Sequence, residues 1–168
     1  ENNSPTEILV LEGPFIANRE FDVRVQRFGD QVAFIDCTFP VGEGLDDLRV
    51  GLERIRAEAE DAVRSGAGQL VLTDEHQGPS SVGMPMILAT SAVHSWLTRK
   101  GLRTFCSINV RSAECIDPHY FAVLIGSGAT TVNPYLAQDS IADRIDRGLL
   151  DGSLTDAMRR YRDAIDAG

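Results

Sequence analysis

Apolar positions follow two rhythms along the chain. Four short runs are apolar on nearly every position: Val32-Ala33-Phe34-Ile35-Asp36-Cys37-Thr38-Phe39, Gln69-Leu70-Val71-Leu72-Thr73, Thr104-Phe105-Cys106-Ser107-Ile108-Asn109-Val110 and a short Thr130-Thr131-Val132. Runs without alternation predict parallel strands covered on both faces. Between the first two, Leu45, Leu48, Leu52, Ile55, Ala59 and Ala62/Val63 recur at steps of three and four and form the apolar stripe of a helix. Arg54/Glu58, Arg56/Glu60 and Glu60/Arg64 stand four apart on its wet side, and Ser65-Gly66 ends it, with Gly able to take a left-handed conformation.

Three more helices follow from the same reading. One opens near Met84-Pro85 and runs through Ile87, Leu88, Ser91, Ala92, Trp96 and Leu97 to Arg99-Lys100-Gly101, with basic residues on the negative end of its dipole. Another starts at Asp117-Pro118, a cap followed by proline, and stops at Gly126-Ser127-Gly128. Asn133-Pro134 repeats the cap-then-proline device, and a last helix covers about 155–164 behind a Ser153–Asp156 capping signal. Strand starts at 32, 69, 104 and 130 make four β/α units in a row. The expected fold is therefore α/β: a half-barrel-like, four-stranded parallel sheet in a single domain, with residues 1–31 as an irregular lead-in and 32–168 as the body.

Composition sharpens this. The chain has 168 residues, is 43% hydrophobic and carries a net charge of -9, with Lys100 as its only lysine. Such a balance repels a phosphate backbone, so nucleic acid is not an expected partner. No apolar stretch approaches the roughly 18 residues of a membrane span, and the first residues read as no signal peptide, so the expected location is cytoplasmic. Cys37, Cys106 and Cys115 form no metal-ligand pattern, and the first and second sit in apolar runs as packed, reduced thiols.

Parallel α/β sheets bind ligands at the carboxyl ends of their strands. Here those ends carry residues 38–43, then Asp74, Glu75 and His76, then Asn109, Arg111 and Glu114, and finally Asn133 and Tyr135; His119 follows in the first turn of a helix and could meet a neighbouring domain. These are candidate strand-end or interdomain contacts, with no catalytic, cofactor or metal role assigned. His94 lies mid-helix and reads as a hydrogen-bonded, partly buried histidine. Gly126-Ser127-Gly128 leads from helix to strand, the reverse of a dinucleotide turn, and Gly42-Glu43-Gly44 puts a carboxylate where a phosphate would sit.

Two stretches carry a family signature. Residues 85–104 read P-M-I-L-A-T-S-A-V-H-S-W-L-T-R-K-G-L-R-T, and 119–137 read H-Y-F-A-V-L-I-G-S-G-A-T-T-V-N-P-Y-L-A. Both resemble the central domain of the glutamate synthase large subunit, as do Pro14–Phe21 and Gly44–Ala67. The chain departs from the family pattern at Ser95-Trp96, at Ala113-Glu114 and at Thr73-Asp74-Glu75, as a divergent member would.

The resemblance implies a flavin-barrel-like domain with no cofactor of its own, joining the amidotransferase and FMN-binding domains of a longer chain along its ammonia route. FMN and iron-sulfur clusters would belong to that parent enzyme, which makes two glutamates from glutamine, 2-oxoglutarate and reductant, NADPH or ferredoxin. The isolated domain would be inactive and could form a homodimer. The competing expectations are a stand-alone module binding a small metabolite, and a small enzyme using Asp74, Glu75, His76 and Glu114.

Overall fold

The computed structural model describes residue 11, residues 13–40, residue 42 and residues 46–168. The expected contributions of Glu43, Gly44 and Leu45 lie outside them. Four parallel strands, β1 (Val32–Asp36), β3 (Gln69–Thr73), β5 (Ser107–Arg111) and β6 (Thr131–Asn133), lie side by side in the order β1-β3-β5-β6. The α/β class and the parallel sheet agree with the sequence pattern.

Alternation along each strand sends its side chains to two different layers. Ile35, Leu70, Leu72, Ile108, Val110 and Val132 point to one side, where α2 (Asp46–Arg64), α3 (Met86–Arg99), α4 (Pro118–Gly126) and α6 (Leu154–Ala167) supply Ile55, Ala59, Val93, Leu97, Leu124 and Ile165. Val71 faces the other way and meets Ile16 and Phe21. Phe21 belongs to α1 (Asn18–Phe28), so the lead-in expected to be irregular is in part a helix. Phe21, Val25 and Phe28 recur at i, i+4 and i+7, a stripe that the charged residues around it hide. The segment ahead of α1 also extends the sheet: Phe15 bridges Val132 in parallel, with Ile16 N–H on Val132 O at 2.9 Å and Val132 N–H on Pro14 O at 2.8 Å.

Two strand expectations need correction. The run 32–39 is not one strand, because the chain changes partner at Cys37. Cys37 N–H still bonds Thr73 O at 2.8 Å, but its own carbonyl takes Met84 N–H, and β2 (Thr38–Pro40) then pairs antiparallel with β4 (Ser81–Gly83). The run from Thr104 starts late: 103–105 form a 3-10 turn and the strand begins at Ser107, since Arg103 is turned inward onto His94 and Gly128. Asp117 does cap α4, accepting Tyr120 N–H at 2.9 Å, and Ser153 caps α6 by accepting Asp156 N–H at 3.1 Å. Asn133 does not cap α5 (Tyr135–Asp146), whose cap position is Pro134. Its amide is used elsewhere.

Candidate functional site

At the carboxyl ends of β3, β5 and β6 the polar side chains converge on Arg111. Its Nε lies 2.6 Å from Glu75 Oε2, and its Nη1 donates to Asn133 Oδ1 at 2.6 Å. The guanidinium carbon lies over the rings of both Phe21 and Tyr135, 4.7 and 5.0 Å from their centroids. A planar, always charged fork suits this double stacking in a way an ammonium would not. Asn133 passes the connection on: Nδ2 donates to Ile16 O and to Asn18 Oδ1, both at 2.9 Å, which ties β6 to the entry of α1. Burial works against the Glu75 carboxylate, yet the bond and charge of Arg111 outweigh it and hold the group below the ordinary carboxylate value.

Asp74 lies next to this cluster and is 1% exposed. It accepts Ala113 N–H at 3.0 Å and Ser112 Oγ–H at 3.3 Å, so the end of β3 is fastened to the loop after β5. The Tyr135 hydroxyl also favours its ionised form. Burial raises its proton affinity, and these donors only partly offset the effect. Glu114 serves another end: its Oε2 accepts Met86 N–H at 3.0 Å and the Tyr120 hydroxyl. The carboxylate therefore caps α3 from a separate loop, since Pro85 has no side-chain oxygen to do so.

The remaining candidates stand apart. Asn109 lies one step back on β5, on the α1 side of the sheet, where it donates to Gln69 Oε1 and Leu70 O at 3.1 Å and accepts from Thr131 Oγ1 at 2.7 Å. His76 is exposed, 3.6 Å from Asp36 Oδ2, and His119 is exposed on the first turn of α4. Asp74, Glu75, Arg111, Asn133 and Tyr135 thus come together; Glu114 is adjacent, and His76 and His119 take no part. Ser112, at the same strand end, and Phe21, Asn18 and Tyr120, which the sequence does not single out, complete the arrangement. Among the described residues no group of three or more His, Cys, Asp or Glu is placed to hold a metal ion. The arrangement binds loops to one another.

A second constellation sits at the opposite end of the sheet. Arg103 donates through Nε to His94 Nδ1 at 3.0 Å, through Nη1 to Cys106 O at 2.7 Å and through Nη2 to Gly128 O at 2.8 Å. Gly128 has φ +114°, and a Cβ there would lie 2.3 Å from His94 Nδ1. His94, Arg103 and Gly128, drawn from the V-H, G-L-R-T and G-S-G-A stretches, form one clamp that joins α3, the start of β5 and the turn before β6. Asn133 and Tyr135, from N-P-Y-L-A, belong to the cluster at the other end. The residues that give the sequence its signature are spent on the scaffold.

The family model described as "Glutamate synthase central domain" matches residues 1–168. Among curated proteins, the chain is 53% identical over 169 residues to the glutamate synthase [NADPH] large chain of Azospirillum brasilense, covering 100% of this chain and 11% of that protein. It is 42% identical over 123 residues to the corresponding large chain of Bacillus subtilis (73% of this chain, 8% of that one). It is also 31% identical over 176 residues to the chloroplastic ferredoxin-dependent glutamate synthase 2 of Arabidopsis thaliana (95% and 11%). The chain thus spans about a tenth of the length of these relatives. Matched from end to end, it belongs to the glutamate synthase central domain family.

Proposed function

We propose that this domain is an interdomain structural module of a glutamate synthase, non-catalytic by itself, seated between an amidotransferase domain and an FMN-binding domain. The parent reaction would convert glutamine, 2-oxoglutarate and reductant into two glutamates, with ammonia passed between sites. One observation carries this reading. Arg111, the cation among the strand-end candidates, is bonded to Glu75 and Asn133 and stacked on two rings, so it is committed to the fold rather than held ready for a substrate. Within the same proposal, the sheet is half-barrel-like, and the location is cytoplasmic, in keeping with the unpaired thiols of Cys37, Cys106 and Cys115.

The described residues do not fit the cofactors of such a parent. The chain's three cysteines are buried in the core and among the described residues join no group of three or more metal-ligating side chains, and burial pushes the thiols of Cys37 and Cys115 up to about 12, far from the thiolate an iron-sulfur cluster needs. A flavin phosphate would need a free donor cradle at the strand ends, where Arg111 is already neutralised by Glu75.

Purification of the 168-residue chain tests the proposal. The expected product is colourless and has no glutaminase or glutamate-forming activity. The native gene product is expected to be several times longer. Flavin bound at one equivalent, or a native product of this length, overturns it.

A further inference from the structure

The two edges of the parallel sheet are finished differently. At β6 the chain closes its own edge with residues 14–16. At β1 no strand follows among the described residues. The register with β3, continued by Cys37 N–H on Thr73 O, turns the backbone groups of Ala33, Ile35 and Cys37 toward β3 and those of Val32, Phe34 and Asp36 outward.

The chain satisfies both ends of this outward row. Val32 N–H bonds Gly29 O, and the Arg54 guanidinium holds Asp36 O and Thr38 O, each at 2.8 Å. What is left without a partner among the described residues is one block: Val32 C=O, Phe34 N–H and C=O, and Asp36 N–H. These are the groups a single added strand would use. The side chain at its centre is Phe34, 53% exposed, its ring edge-to-face with Phe21 at 6.4 Å. Edges of this kind are normally blunted by charge, proline or a bulge; here the charge is confined to Asp36 at the end of β1, and 32–35 has none of these.

We propose that the β1 edge is a strand-addition surface for an extended segment of the same polypeptide outside residues 1–168, with an apolar side chain packed on Phe34. This rests on the reading of the chain as part of a longer protein, and the relatives, roughly nine-tenths of whose length lies outside the matched region, have ample chain to supply it. A second copy is the poorer occupant. Each copy carries a net charge of -9, and the β6 edge that would have to meet β1 to continue a parallel sheet is already taken by residues 14–16. Main-chain bonds would give such a contact its register and Phe34 its specificity.

Amide hydrogen exchange tests it, measured on the 168-residue chain and on the native-length product. The Phe34 and Asp36 amides are expected to exchange freely in the short chain and at least about 100-fold more slowly in the long one, as for amides newly taken into a ladder. Equal exchange in both overturns the proposal while leaving the interdomain reading intact; a native product no longer than this chain overturns the reading itself. Protection already present in the short chain and rising with its concentration overturns it in favour of self-pairing. Phe34→Asp, at a half-exposed position, is expected to lower the melting temperature of the short chain by only a few degrees, through the lost contact with Phe21, and to restore fast exchange at Asp36 in the long one. Unchanged protection in that variant also counts against strand addition.

Discussion

Arg103 donates to His94 Nδ1 at 3.0 Å, which fixes the imidazole as a neutral acceptor with its proton on Nε2. Burial, and then the Arg103 charge, hold its pKa below the ordinary value of 6.5. The unfolded chain therefore binds more protons than the folded one in the window just below pH 6.5. The stability contributed by His94 is complete above that value and is lost as pH falls through the folded pKa. His94→Asn keeps an acceptor near the same place and does not titrate. The stability advantage of the unsubstituted chain over this variant, read from urea midpoints, is expected to be larger at pH 7.5 than at pH 5. A difference independent of pH would sink the assignment.

The same clamp sets the tolerance of two glycines. Gly101 has φ +70° and open space where a Cβ would be, so Gly101→Ala is expected to cost only the roughly 1–2 kcal/mol of a left-handed L-residue. Gly128 adds a collision with His94 at 2.3 Å to its own φ of +114°. Gly128→Ala is expected to cost more, about 3 kcal/mol or above, because either the ring or the turn has to move. Equal midpoint shifts for the two variants would show that His94 yields freely.

Much of this was legible in the sequence because it is local. The stripe of α2, the Asp117-Pro118 and Ser153 caps and the β3 run all depend on spacing within one element, and they came out where the pattern put them. What escaped depends on partners far along the chain. Nothing near Cys37 announces that its carbonyl will go to Met84, nor does the Asn133-Pro134 pair show that the Asn133 amide will be drawn to Ile16 and Asn18. Of the candidate set, Asp74, Glu75, Arg111, Asn133 and Tyr135 meet at the strand ends, while Asn109, His76 and His119 stand apart. Which loops they would hold is not visible in the sequence, because a carboxylate beside an arginine looks the same there whether it holds a ligand or a loop.

Arg111 should resist conservative replacement. Arg111→Lys keeps the charge but loses the simultaneous reach to Glu75 and Asn133 and the flat contact with Phe21 and Tyr135. A loss of about 2–3 kcal/mol is expected for both Arg111→Lys and Arg111→Met, since either leaves Asn133 Oδ1 short of its donor. Near-native stability in the Lys variant would mean that charge alone is what the site requires.

Asp74 shifts in the direction opposite to His94. Burial raises its pKa above the usual 3.8, so its contribution is complete below that value and declines as pH rises through the folded pKa. Asp74→Asn, which can still accept Ala113 N–H without a charge, is therefore expected to be neutral or mildly stabilising at pH 7. Asp74→Ala leaves that buried donor unpaired and is expected to cost about 1–3 kcal/mol. If the Asn and Ala variants lose the same amount, the ionised carboxylate itself is what the loop needs.

Glu114 and Tyr120 act on α3 as a pair. Glu114 Oε2 meets both Met86 N–H and the Tyr120 hydroxyl, so the tyrosine aims the carboxylate at the helix end. Burial, and then this bond, raise the proton affinity of the phenol, as expected for a hydroxyl donating to an anion. Glu114→Ala should cost about 1–2 kcal/mol, the loss of a cap together with a favourable charge at the positive end of the dipole. Glu114→Gln keeps an acceptor and should lose less. Tyr120→Phe should lower stability when Glu114 is present and do almost nothing in a chain that already carries Glu114→Ala. A double-mutant cycle is then expected to return a coupling of roughly 0.5–3 kcal/mol, the range for residues in direct contact. A coupling near zero would mean that Glu114 finds the end of α3 without help from Tyr120.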